Sequence, residues 1–202
     1  PCKNHRVFHI FPKGQKRLLS HKPYGGVCGI WHSSKCHYII QDFTQSIMRI
    51  LSYNIQAAIH SNSYLSYSYQ WPRQLLPTPA KKRNLERIAE FLRDFDVVCL
   101  QEIELGGLRN GFKSQHTQLL ELTDFPYDAV QTNRRVGQLS LHGNLILSRH
   151  PLNIILDSPL PSQIKGRGVL AASIDLNAQD TLIIANTHLS LGKLDQHRQL
   201  RF

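Results

Sequence analysis

The sequence predicts an α/β layered fold with a mixed or antiparallel sheet. Three observations predict it. A strand at residues 50–55 ends in polar residues, an amphipathic helix and a short, wholly apolar strand follow it, and the later strands succeed one another as hairpins.

Each element has its own signal. Ile50-Leu51-Ser52-Tyr53-Asn54-Ile55 reads as the first clear strand. Leu85, Ile88, Ala89, Leu92 and Phe95 recur at helical spacing and predict a helix over about residues 82–95. Val97-Val98-Cys99-Leu100 is continuously apolar, as in a strand covered on both faces. A second helix is expected over residues 115–122, and further strands at 144–148, 153–156, 169–176 and 181–187. Arg149-His150-Pro151 joins one pair of these strands, and Asn177-Ala178-Gln179-Asp180 joins another as a hairpin. A last helix is expected from Leu194. It has no stop signal before Phe202, so the chain is expected to be cut inside an element.

With 41% apolar and 19% charged residues among 202, the composition suits one sizeable globular core and excludes a disordered chain. No apolar run approaches the roughly 18–20 residues of a membrane helix, and no signal peptide is recognisable. The net charge of +10 is unevenly spread. Residues 1–47 hold seven Lys or Arg against one acid, Asp42, for +6; the remainder holds 17 basic and 13 acidic residues, for +4. The basic signal that would suggest nucleic acid therefore comes mostly from the first quarter of the chain.

Two regions are expected on these grounds. Residues 1–47 read as a basic N-terminal extension outside the domain, and residues 48–202 as the domain itself. Met48, the only methionine, directly precedes the first clear strand and is a candidate natural start; a chain beginning there should then keep its fold. Cys28, His32, Cys36 and His37 invite a zinc reading, but a C-x7-C spacing is not that of known structural zinc sites. Four cysteines without regular spacing do not describe a secreted disulfide scaffold, and a reducing cytoplasm is the expected location.

Three strand ends carry candidate chemistry. Glu102 follows a buried strand directly and so sits at its carboxyl end, where α/β sheets place ligands. Glu104, two residues on, could face the same way. Asn54 ends the first strand; if the two strands are neighbours, its amide and the Glu102 carboxylate converge, which suits a hard cation such as Mg²⁺. His188 ends a third strand, where an imidazole can donate to a phosphoryl oxygen. Taken singly, each has a bland reading: a surface acid, a turn former, a structural histidine. The long connection over residues 57–80 carries Tyr64, Tyr67, Tyr69 and Trp71 and leads into Lys81, Lys82 and Arg83. It could stack a base, grip a phosphate, cover an apolar lip for a lipid, or merely pack on the sheet.

In order, "MRILSYNIQ", "DVVCLQEIE", "HGNLILSRHPL", "GRGVLAASID", "IIANTHLSLG" and "HRQL" resemble the endonuclease/exonuclease/phosphatase superfamily. The resemblance spans about residues 48–202 and implies a deoxyribonuclease-like α/β sandwich, C-terminally incomplete. It implies a phosphoesterase using Mg²⁺ or Mn²⁺, with Glu102 and Asn54 at the metal and His188 and Asn54 catalytic. Arg167 and Asn144 would be substrate-binding groups, Asn144 and Asn186 also strand-fixing ones, and Arg198 and Gln199 part of a helix that packs and positions. The expected partner is a phosphoester, with nucleic acid the first choice and a sphingomyelinase-like lipid or inositol phosphate the alternative. The resemblance also implies a later Gly-Asp-x-Asn motif and a final Ser-Asp-His. Neither Gly-Asp nor Asp-His occurs here. A fragment unable to turn over substrate unaided, or a non-catalytic remnant or binding module, is the third expectation.

Overall fold

In the computed structural model the described residues are 4–10, 27–32, 35–41, 47–55, 79–163, 166–176, 178, 180–190 and 192–201, with backbone alone for the first three segments. The strands are β1 (Asn4–Ile10), β2 (Val27–His32), β3 (Lys35–Gln41), β4 (Ile47–Asn54), β5 (Val97–Glu104), β6 (Tyr127–Val136), β7 (Ser140–Ser148), β8 (Asn153–Pro159), β9 (Gly168–Asp175) and β10 (Asp180–His188). The helices are α1 (Pro79–Leu92), α2 (Gln115–Leu122) and α3 (Lys193–Gln199).

The strands form two sheets, one of four strands in the order β1-β10-β9-β8 and one of six in the order β2-β3-β4-β5-β7-β6. Each sheet is mixed: β4 runs parallel to β5 and β1 parallel to β10, while the other pairs are antiparallel. The strands drawn from residues 1–47 take outer positions, and every central strand but β4's first residue comes from residue 48 onward. The side chains of Cys28, His32, Cys36 and His37, and the aromatic connection over residues 56–78, lie outside the described residues. Among the described residues no helix is long and apolar enough to cross a membrane.

Among the described residues, the two larger hydrophobic clusters follow from the period of 2 along each strand. On one face of the six-stranded sheet, Leu51, Val98, Leu100, Ile103, Leu145 and Leu147 pack under Leu85, Ile88 and Leu92 of α1 and Leu119 of α2. These helical residues are the i, i+3, i+7 stripe that made α1 legible, and burying each side chain contributes about 1.5–3 kcal/mol. On the other face, Met48, Ile50, Val97, Cys99 and Ile146 meet Leu170, Ala172, Ile174, Leu182 and Ile184 of the second sheet. Burial there pushes the Cys99 thiol up to about 12, so it behaves as a small apolar side chain.

The structure adds to the expected elements. β6 has no counterpart in the sequence reading, because its alternation "YDAVQTNRRV" carries few apolar residues and it lies at a sheet edge. α3 runs over Lys193–Gln199, and the Leu200 N–H bonds to the Gln196 carbonyl.

Candidate active site

The layer between the sheets changes character along its length. Period-2 stripes that begin apolar end polar on the same side: Met48-Ile50-Ser52-Asn54 on β4, Val97-Cys99-Gln101 on β5, Ile146-Asn144-His142 on β7 and Leu182-Ile184-Asn186-His188 on β10. Parallel pairing of β4 with β5, in the register Asn54 to Gln101, puts their carboxyl ends side by side.

The first polar tier is structural. Asn186 is fully buried and donates from Nδ2 to the carbonyls of Leu100 (2.9 Å) and Leu145 (3.0 Å), while its Oδ1 accepts from Gln101 Nε2 at 2.8 Å. Gln101 Nε2 also lies 3.1 Å from Ser52 Oγ. One amide thus ties β10 of one sheet to β5 and β7 of the other. Asn144, expected among the substrate-binding groups, is also fully buried; its Nδ2 donates to Gln131 Oε1 at 3.0 Å and to the Gly168 carbonyl at 3.3 Å. Through its Nδ2 it joins the two sheets, while its Oδ1 is buried without a hydrogen-bond partner among the described residues.

The second tier opens to solvent. A β-bulge interrupts the register between Gln101 and Ile103, and the residue it expels from the ladder is Glu102, with φ 56. A non-glycine residue in the left-handed region costs on the order of 1–3 kcal/mol, and such strain concentrates at functional sites. The bulge delivers the carboxylate to the groove. Glu102 Oε1 accepts from Asn54 Nδ2 at 3.1 Å and lies 3.3 Å from His188 Nε2. The same bulge resets the alternation for Glu104, which is buried and accepts from Ser140 Oγ (2.7 Å) and the Leu141 N–H (2.8 Å). Glu104, paired with His142, is held by these bonds at the β5–β7 end.

His188 sits between opposite charges. Its Nδ1 lies 3.5 Å from Arg167 Nη1, and guanidinium nitrogens only donate, so Nδ1 is the unprotonated nitrogen and Nε2–H faces Glu102. Burial, with Arg167 next, lowers the imidazole to about 4; Glu102 pulls the other way and His142 adds to the lowering. The ring is neutral at neutral pH, and its contact with Glu102 is that of a neutral donor and not an ion pair. Arg167 is half-buried. Burial lowers its pKa, Glu102 raises it and Arg134 lowers it.

The structure thus brings Asn54, Glu102, Arg167 and His188 together, and leaves Asn144 outside. His142 and Arg134 join electrostatically and were not singled out by the sequence; His142 stood in a quoted motif, whereas Arg134 had no signal. Gln199 accepts from the Ser190 N–H at 2.9 Å and donates to the Pro161 carbonyl at 2.9 Å, so α3 fixes the turn that follows His188. A cavity of about 850 Å³ lies elsewhere, lined by Lys82 and Glu86 of α1, Glu121 of α2 and Lys113 just before α2, among others, and shares none of this cluster. Among the described residues no group of three or more His, Cys, Asp or Glu side chains is arranged to hold a metal.

Comparison with known proteins agrees with this architecture. The sequence profile of the Endonuclease/Exonuclease/phosphatase family matches residues 51–188, from within β4 to His188 itself. No curated protein matches the sequence. Among solved structures, an endonuclease/exonuclease/phosphatase from Beutenbergia cavernae DSM 12333 aligns over 76% of this chain and 42% of its own, at 23% identity and TM-score 0.58. Humanized D. rerio TDP2 aligns over 76% and 53%, at 14% identity and TM-score 0.48. ANGEL2, a 2',3'-cyclic phosphatase, aligns over 75% and 45%, at 21% identity and TM-score 0.46. The chain spans under half the length of the Beutenbergia cavernae protein. The profile match covers more than half of the chain and ends on the very histidine that meets Glu102, and the chain belongs to the Endonuclease/Exonuclease/phosphatase family.

Proposed function

We propose that this groove is part of a divalent-metal phosphoesterase site that acts on a phosphodiester, with nucleic acid the first choice of substrate. The observation that supports it is the Glu102 carboxylate, held at a left-handed bulge between Asn54 and His188. The donor chemistry fits a hard cation: Mg²⁺ or Mn²⁺ takes one or two carboxylates and completes its shell with water and substrate phosphate. The Glu102 side chain is 33% exposed, which leaves room for such partners. Glu102 would hold the ion, with Asn54 beside it; the ion would polarise the phosphoryl group toward attack by water.

The chain's own residues divide the remaining work. Asn54 orients the carboxylate through its amide N–H. His188, neutral and carrying its proton on Nε2, offers a donor to a phosphoryl oxygen as charge develops there. Arg167 stays charged and provides a fork of N–H donors for phosphate.

The test is metal binding followed by calorimetry. The chain should bind Mn²⁺, and Glu102→Gln, which keeps shape and removes charge, should weaken that affinity at least ~10-fold while leaving the melting temperature nearly unchanged. Equal Mn²⁺ affinity in both proteins would overturn the proposal.

A further inference from the structure

Arg134 reaches the groove because of a second bulge. β6 is in register with β7 as Thr132 to Gly143 and then as Arg134 to His142, so Asn133 is extruded. Without that extra residue, strict alternation from Gln131, which faces the second sheet, would turn Arg134 to the opposite face. With it, Arg134 shares the face of His142 and lies across the gap on Gly166. A Cβ at Gly166 would stand 2.4 Å from Arg134 Cβ and 3.0 Å from its Cδ, and Gly166 has φ +101, so a glycine is required there twice over.

Two guanidinium groups are thereby brought to one rim of the groove. Arg134 is exposed and close enough to disfavour the charge on Arg167. Among the described residues neither arginine forms a carboxylate ion pair, and Arg167 Nε is buried without a hydrogen-bond partner. Among the described residues Glu102 is the acid that acts on Arg167, and it already serves Asn54 and His188. Like charges held together are unfavourable unless enough negative charge joins them, and an anion between the two would supply it.

We propose that Arg134 and Arg167 form a subsite for a second phosphate of the substrate, beside the phosphate that meets His188 and Glu102. This rests on the phosphoesterase reading and narrows it. The substrate carries at least two phosphates, as a nucleic-acid strand or a polyphosphorylated small molecule does. A phosphocholine headgroup, whose second charge is positive, is disfavoured.

Binding to the 202-residue chain with Mn²⁺ present tests this by calorimetry. The probes are thymidine 5'-monophosphate, thymidine 3',5'-bisphosphate, inositol 1,4-bisphosphate and phosphocholine. Wild type should bind at least one bisphosphate about 10-fold more tightly than the monophosphate, as expected for one added charge-assisted contact. Arg134→Ala should abolish that preference, weakening bisphosphate binding more than monophosphate binding, and lower the salt dependence of bisphosphate binding by about one ion. Arg134→Lys should restore part of it. The tighter of the two bisphosphates identifies the source, strand or small molecule. Monophosphate binding that is lost in His188→Ala, without any bisphosphate preference or with one that survives Arg134→Ala, overturns the subsite alone. Phosphate binding that is absent, or indifferent to His188→Ala, overturns the phosphoesterase reading and the subsite with it.

Discussion

His188 Nε2 lies 3.3 Å from Glu102 Oε1, although the two residues belong to different sheets. Neither strand alone places them so. β10 reaches across because Asn186, two residues earlier on the same stripe, is bonded to the carbonyls of Leu100 and Leu145, and β5 reaches back because its bulge turns Glu102 out of the ladder. The site is therefore as rigid as the contact between the sheets.

Acid should loosen that contact through His188. Its folded pKa of about 4 lies below the ordinary 6.5, so between these values the unfolded chain binds more protons than the folded one. Stability contributed by the neutral ring is then complete above pH 6.5 and is lost as pH falls toward 4. Thermal melting of metal-free wild type and His188→Gln across that range checks this. The wild-type melting temperature should fall more steeply, and parallel curves would contradict the assignment.

Asn186→Ala removes two donors and one acceptor from a fully buried junction. Each buried polar group left without its partner costs about 1–3 kcal/mol, so a loss of roughly 2–4 kcal/mol is expected. At this chain length that lowers the melting temperature by about 5–15 °C. A change within ~1 °C in differential scanning calorimetry would show that other contacts carry the junction.

Gly143 of β7 lies between β5 and β6, both of them bulged, and a Cβ there would stand 2.1 Å from the Gln131 carbonyl oxygen and 2.7 Å from Leu105 Cδ1. Gly143→Ala must push β6 away from β7, at about 1–3 kcal/mol, and displace Arg134 with it. Gly192→Ala meets nothing within 4 Å and serves as the comparison, costing under about 1 kcal/mol. Equilibrium urea unfolding of the two variants measures the difference, and equal midpoints would refute the packing argument.

Much of the frame was legible in the residues, for a physical reason. Leu85, Ile88 and Leu92 announce a helix because a one-sided stripe must be buried, and α1 buries it. Val97 to Leu100 announce a covered strand because both faces meet a core. Asn54, Glu102 and His188 were legible as strand ends in family order, and the structure brings them together. β6 was not legible, since an edge strand with one solvated face needs few apolar residues.

The residues by themselves determined which strands would carry polar chemistry and at which end, because alternation along one strand is a local property. The tertiary structure decided which of those groups meet. Two single-residue bulges, at Glu102 and Asn133, reverse the facing of everything beyond them: they send Glu102 to the groove and Glu104 into the β5–β7 end, and lay Arg134 on Gly166. A bulge is stabilised by the neighbouring strands it pairs with, so the sequence of its own strand leaves no periodic trace of it. The same holds for Asn144 and Asn186, whose partners lie across the sheet interface and whose structural duty appears only once the two sheets are packed.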